Sequence, residues 1–286
     1  IVNTTHRVRV EISTISDPRV GSGSPGWTLE SHPDGWLPSA SASLEYLPNN
    51  LSFEAVQAST ARTPMVWGGF ASRVDVITDD GQQSFEWDAV ASAAAAERWD
   101  AIGGQTSWQF VKLAFNAPSR SMSGLAVLLT GAAHFHDTDQ LSASQLSDSA
   151  FANWIRPVID SVPNFQTLGA DPAATMAGRG ASVVEIALLP ESQWLMNLED
   201  LTNGEELIFH YPAHQFQLDF PLSAWSGNQT DANRQAAVEA FGDYLLSDAG
   251  QSLAKTYGLR PAVDEPGAAD AVFADAQAYG FQLVPD

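Results

Sequence analysis

The sequence predicts an α/β fold with largely parallel sheets flanked by helices. Strand-like and helix-like periodicities alternate almost from end to end. A strand, a serine-rich turn and a helix-capable segment follow one another twice, at 36–47 and at 110–136. The 286 residues are 44% hydrophobic and 16% charged, a globular composition large enough for two ordinary lobes.

The elements justify this in order. His6 to Ile15 alternates and is rich in β-branched residues, which reads as a strand. Residues 16–35 are broken by Pro and Gly and read as loop. Trp36 to Ser41 is a short strand running into a hydroxylated turn, with a helix-capable Ser43 to Leu47 behind it. Thr63 to Phe70 is a strand whose Gly68 and Gly69 mark close packing or a bend. After a polar stretch at 75–84, a helix runs from Phe85 through an alanine run to Ile102, where Gly103 and Gly104 stop it. Phe110 to Phe115 is a strand. Helices are expected at Leu146 to Val162, near Ala173, and from Pro190 to Leu201 with proline at the first position. Ser182 to Ala187 reads as a buried strand carrying Glu185, and Glu206 to Pro212 as another. Phe216 to Phe220 alternates, Asp231 caps a helix over Asn233 to Leu246, and further helices cover Asp248 to Tyr257 and Asp270 to Tyr279.

Charge and composition exclude several functions. The formal net charge is -21, with 13 basic residues against 34 acidic ones. Nucleic acid and anionic membrane both need a basic surface, and none is present. The apolar runs are too short and too interrupted for a transmembrane segment. Without cysteine there are no disulfides, thiolates or cysteine zinc sites. An anionic small ligand remains open, because a pocket of N–H donors holds one locally inside an acidic protein.

The chemistry concentrates at Asn116 to His136. A turn, Asn116-Ala117-Pro118, enters a loop bearing Ser119, Ser121 and Ser123. Gly124 follows, then Leu125, Leu128, Leu129 and Ala132 at one-face helical spacing. A helix start offers unpaired N–H groups and the positive end of a dipole, and Gly124 has no Cβ to block approach. The loop can hold a ligand by its oxygens, or Ser121 or Ser123 can simply cap the helix. His134-x-His136-Asp137-x-Asp139 carries ligand-type residues, but histidines two apart point to different sides of a helix, so no metal site is expected. No nucleophile elbow, phosphate loop or dinucleotide fingerprint is present, so no catalytic residue and no cofactor are expected. Trp36, Trp67, Trp87 and Trp99 sit in apolar runs and read as core.

Several segments together resemble a known family. They are His32 to Ser41 (HPDGWLPSAS), the TPMV run at Thr63, Trp108 to Ala114, Asn116 to Leu125, Tyr211-Pro212, and Phe241 to Ala262 (FGDYLLSDAGQSLAKTYGLRPA). The order is similar to bacterial extracellular solute-binding proteins with the type 2 periplasmic-binding fold, relatives of the sulfate- and molybdate-binding proteins. Members that sit upstream of a von Willebrand factor A domain or serve as lipoprotein receptors look most similar. The resemblance implies two α/β lobes, 1–68 plus 210–286 and 69–209, joined by two hinge strands. It implies a ligand cleft lined by Ser39 and Ser41 on one side and Ser121, Ser123 and Gly124 on the other, with Tyr211 near the hinge. Arg120 would meet an anion. Glu185 would reach the cleft or serve as the structural partner of an arginine. Members carry a strand and a helix ahead of the counterpart of His6 to Ile15, so a ligand-facing loop is expected outside these residues. The end of the chain resembles the run-up to a von Willebrand factor A domain.

Two functions follow from the resemblance. One is a non-enzymatic, extracytoplasmic receptor, at the cell surface or in the periplasm, that captures a small polar or anionic ligand for the membrane subunits of an ABC-type importer. The other is a protein-interaction or sensory module of the same fold, fused to a von Willebrand factor A domain, with a degenerate pocket.

Overall fold

The computed structural model describes residues 10–17, 22, 26–228 and 230–284. Of the strand expected at His6 to Ile15, residues 6–9 lie outside them, and residues 10–15 form no strand. In chain order the elements are β1 (Gly35–Trp36), α1 (Ala42–Glu45), β2 (Phe53–Gln57), β3 (Ala61–Phe70), α2 (Ala71–Thr78), α3 (Trp87–Ala96), β4 (Leu113–Ala114) and α4 (Met122–His136). There follow α5 (Ala143–Leu146), α6 (Ser149–Asp160), α7 (Phe165–Leu168), α8 (Pro172–Arg179), β5 (Ile186–Pro190), α9 (Glu191–Leu201) and β6 (Leu207–His210). The chain then makes β7 (Gln217–Leu218), β8 (Leu222–Trp225), α10 (Ala232–Leu246), α11 (Asp248–Thr256), β9 (Arg260–Pro261) and α12 (Ala271–Ala276).

The spine is β3. Along it pair β9 at Ala61 and Arg62, β7 at Thr63 and Pro64, β5 from Met65 to Gly69, and β6 from Trp67 to Phe70. A separate three-stranded sheet has the order β1-β8-β2. The α/β class with helix-flanked sheets is as expected, but the pairing is not largely parallel. Among the described pairings only β4 with β5 is parallel, and every neighbour of β3 runs against it. A parallel pair needs a long crossover. Here α4 to α8 supply one between β4 and β5, whereas the chain reaches β6 from β5 through α9 alone and lands on the other side of β3.

Packing explains the glycines of β3. A Cβ on Gly68 would stand 2.7 Å from the Trp194 ring, and one on Gly69 would stand 2.9 Å from Val74. Trp67, Trp87, Trp99 and Trp194 are fully buried around this strand, and Trp36 is buried in the other sheet. Each such ring removes roughly 150–250 Å² from water, an upper value of about 4–6 kcal/mol at 25 cal/mol/Å².

Local differences have local causes. The helix expected to reach Ile102 ends at Ala96, because Glu97 takes φ 62°, and residues 99–102 form a 3-10 turn. The polar stretch from residue 75 is in part α2, whose buried side includes Arg73, Val74 and Ile77. The buried strand near Glu185 starts one residue after it, and Pro190 closes that strand instead of opening the helix. Asp231 caps α10 as expected, its Oδ1 accepting the Asn233 N–H at 2.8 Å.

Candidate functional site

The two hydroxylated turns, eighty residues apart in sequence, meet in space. Ala40 and Met122 belong to one apolar cluster with Leu218, and Leu125, Leu129, Phe216 and Phe220 pack against it. The turn at 39–41 therefore lies against the start of α4. Two adjacent residues bridge them. Ser16 Oγ donates to the Arg120 carbonyl at 2.6 Å. Asp17 Oδ2 accepts the Ser39 N–H at 2.6 Å and the Ser43 hydroxyl at 3.3 Å. The combined reach of two neighbouring residues and two hydrogen bonds keeps Ser39 N and the Arg120 carbonyl within about 15 Å.

On the first turn, Ser39 is half-buried and its carbonyl accepts the Phe220 N–H at 3.3 Å. Ser41 is exposed, and its N–H donates to Asp219 Oδ1 at 2.7 Å. Asp17 is buried at 8% exposure. Burial pushes its carboxyl above the ordinary value, against the N–H of Ser39 and the hydroxyl of Ser43, which favour the ionised form.

On the second turn, Ser121 stands at the N-cap of α4, but its hydroxyl does not cap. It meets the Ser123 hydroxyl at 2.6 Å, and Ser123 in turn accepts from Asn116 Nδ2 at 2.7 Å. Arg120 is exposed on the same loop. Gly124 has a packing reason: a Cβ there would stand 2.1 Å from the Asn116 carbonyl oxygen. That side of the residue is filled by the chain's own backbone, so it offers a ligand no approach.

The remaining two expected residues point inward. Glu185 is fully buried. Its Oε2 accepts the Trp99 indole N–H at 2.8 Å and the Lys112 N–H at 2.9 Å, while Oε1 meets Lys112 Nζ at 2.9 Å and Arg73 Nε at 3.5 Å. Of its two expected roles, the structure gives it the structural partnership with an arginine. Tyr211 is buried, donating to Glu191 and accepting from the Gln282 N–H at 3.3 Å. Burial and the Glu191 charge push its phenol up. Arg260 completes the group with two bonds of 2.7 Å to Glu191. This locks the chain after β6 to α9 and β9.

Asp17, Ser16 and Ser43 were not singled out by sequence, and Asn116 was read only as the start of a turn. Asp17 sits in a stretch that reads only as loop, and no spacing ties it to Ser39. Asn116 alone carried a signal, since it opens the turn that delivers the serines.

Comparison with known proteins bears on this geometry. The family model described as bacterial extracellular solute-binding protein matches residues 26–260. This chain belongs to that family. The helix-flanked mixed sheets of this solute-binding protein are consistent with a two-lobed periplasmic-binding fold. No curated protein matches it. Solved structures similar to it include a cyclic alpha-maltosyl-1,6-maltose binding protein from Arthrobacter globiformis, 12% identical, covering 80% of this chain and 58% of its own, with a TM-score of 0.48. Maltose-bound MalE3 of T. maritima is 13% identical, covering 86% and 62%, with a TM-score of 0.48. The GacH receptor of Streptomyces glaucescens is 15% identical, covering 93% and 69%, with a TM-score of 0.48. The chain thus spans less than two thirds of the first two. No helix among the described residues is long and apolar enough to cross a membrane.

Proposed function

We propose that this protein captures a small polar solute, neutral or anionic, between a lobe of residues 1–68 plus 210–286 and a lobe of residues 69–209. It works outside the cytoplasm and hands the solute to the membrane subunits of an ABC-type importer. The observation that carries this reading is the meeting of the 39–41 turn with the Ser121–Ser123 turn. Hydroxyls and backbone N–H groups from two distant stretches flank one short bridge, Ser16–Asp17. Each half offers few contacts, so affinity comes from both acting together. A solute shifts the protein toward closure only by its better fit to the closed state. The groups on the two turns position and hold; none is arranged as a nucleophile with a base, so the reading is binding without catalysis.

A thermal-shift panel of oxyanions, sugars, polyols and amino acids tests it. Sulfate and molybdate head the panel because the family the sequence resembles counts sulfate- and molybdate-binding proteins among its broad relatives. At a hundredfold excess over Kd a true ligand adds about 2.7 kcal/mol of stability, an unmistakable rise in Tm. A panel with no stabilising compound ends the reading.

A second reading has a specific observation behind it. Donors and acceptors on both turns already have partners within the chain: Ser39 N–H with Asp17, and Ser123 with Asn116. A pocket whose groups are satisfied internally suits an interaction or sensory module fused to a von Willebrand factor A domain. A full-length polypeptide whose downstream sequence has no Asp-x-Ser-x-Ser metal motif removes that alternative.

A further inference from the structure

The two turns that meet do not carry the same chemistry. At the second turn the direction of the hydrogen bonds follows from one end. Gln193 Nε2 donates to the Ala170 carbonyl at 3.4 Å, which turns Gln193 Oε1 to Asn116 Nδ2, also at 3.4 Å. An amide nitrogen can only donate, so Asn116 gives one N–H to Gln193 and the other to Ser123 Oγ at 2.7 Å. A flipped Asn116 would set its oxygen against Gln193 Oε1, and a flipped Gln193 would set its oxygen against the Ala170 carbonyl. The network therefore admits one orientation.

Ser123 is 6% exposed, and among the described residues its hydroxyl proton finds one acceptor, Ser121 Oγ at 2.6 Å. Ser121 thus accepts from Ser123, and its own single proton points onward. It is not spent on capping α4. Ser121 is half-buried, beside the exposed Arg120. The second turn presents a hydroxyl donor and a guanidinium, and each donor in such a chain strengthens the next. It suits an acceptor, above all an anion.

The first turn is the reverse. Its N–H donors are already taken, Ser39 N–H by Asp17 Oδ2 at 2.6 Å and Ser41 N–H by Asp219 Oδ1 at 2.7 Å. What remains is carboxylate. Asp17 is buried and Asp219 half-buried. Among the described residues neither pairs with a Lys, Arg or His, and Asp17 Oδ1 and Asp219 Oδ2 carry no hydrogen bond. Two negative charges with free acceptors repel an anion and attract an ammonium group.

A single solute has to satisfy both turns. A dianion such as sulfate brings no donor for Asp17 and Asp219. A plain amine brings no acceptor for Ser121. A sugar can bond to both, yet it leaves the two carboxylates and Arg120 without counter-charge. We propose that the solute is a small zwitterion, its anionic end held by Ser121 and Arg120 and its cationic end by Asp17 and Asp219. This rests on the reading that the two turns hold a solute between them, and it narrows that solute to one with opposite charges at its ends. The link through Ser16 and Asp17 keeps the turns within about 15 Å. A charge separation of roughly 4–7 Å, with a hydrogen bond of about 2.8 Å at each end, spans roughly 10–13 Å.

Thermal shift and then calorimetry on the whole chain at pH 7.5 test the assignment with matched probes. Glycine, β-alanine, γ-aminobutyrate, taurine and the protein amino acids are each set beside the deaminated acid and the amine that lacks the anionic group. Sulfate, molybdate and glucose complete the panel. At least one zwitterion is expected to raise Tm and to bind about tenfold or more tightly than either of its halves. In Asp17→Asn/Asp219→Asn the asparagines still accept the two backbone N–H bonds, but the zwitterion's lead over its deaminated acid falls by about tenfold or more. A general loss of fold would weaken both probes alike and leave that ratio unmoved. Asp219→Asn alone, at the more open position, lowers the lead in the same direction and keeps the test decisive if the double variant does not fold. In Ser121→Ala it is the lead over the amine that falls. Stabilisation by sulfate, molybdate or glucose with none by any zwitterion overturns the assignment and leaves solute capture standing. A zwitterion that binds no better than its acid, or a lead that Asp219→Asn does not change, also overturns it. A panel with no stabilising compound removes both.

Discussion

At the scale of single residues, burial decides which polar groups hold the fold. Glu185 is anchored by Lys112, Arg73 and Trp99, which come from three separate stretches. Glu185→Ala takes the counter-charge from Lys112 and leaves Arg73 only Glu205, at 3.4 Å. Breaking a buried pair in this way costs about 3–5 kcal/mol, read as a lower urea midpoint; an unchanged midpoint refutes the anchoring role. Sequence could name Glu185 as notable but not choose between cleft and core, because side-chain direction at a strand edge is set by partners that spacing does not reveal. Asp17 gives a prediction of opposite character. Its carboxyl is raised by burial, so the folded chain binds that proton more tightly than the unfolded chain. The stability this contributes is complete below the unfolded value of about 3.9 and is lost as pH climbs through the folded value. Asn cannot titrate. Asp17→Asn should therefore gain on the wild type between pH 4 and pH 7, measured as the difference in urea midpoints. A gap that shrinks or stays level over that interval contradicts the direction.

Elements are held by ties that a reader of the sequence can only half see. Alternation and β-branching located β3 and β6, yet they say nothing of which way a neighbour runs. The two-residue strands β1, β4, β7 and β9 are too short to carry a period at all. What fixes β9 beside β3 is partly Arg260, which in the sequence merely follows the helix expected at Asp248 to Tyr257. It is 1% exposed. It reaches Glu191 at the start of α9, Glu265 at 2.9 Å, and the carbonyls of Gln282 and Leu283. Burial alone would lower its affinity for the proton, but the Glu191 carboxylate outweighs this and holds the guanidinium charged. Arg260→Met strands a fully buried Glu191 and should cost about 3–5 kcal/mol. Adding Glu191→Leu removes the stranded charge, so the double variant should recover a large part of the loss. A double-mutant cycle checks this, and strictly additive losses would falsify the pairing.

At the scale of the whole molecule, composition and segment order placed the chain in its family, and a contact pattern that neither could supply brings the two serine turns together. Ser39 and Ser123 are unrelated in sequence spacing; the apolar cluster that holds Ala40, Met122 and Leu218 joins their turns. Glu185 and Tyr211, equally visible in the sequence, turn away into the core. The candidate site was thus legible in its loops and illegible in which members face one another. Closure is where the loops can be tested together. Ser121→Ala/Ser123→Ala removes two hydroxyls that touch each other and Asn116, at partly and fully buried positions. Loss of a hydrogen bond to a solute is worth about 1–3 kcal/mol, so affinity for whichever solute stabilises the wild type should fall about fivefold to a hundredfold. The same solute should reduce the wild-type radius of gyration and leave that of the variant larger. Exposing the Asn116 amide also lowers the Tm of the unliganded variant, so the comparison is made between liganded and unliganded forms of each protein. If the variant binds and compacts as the wild type does, the second turn takes no part in holding the solute and the cleft must be sought elsewhere.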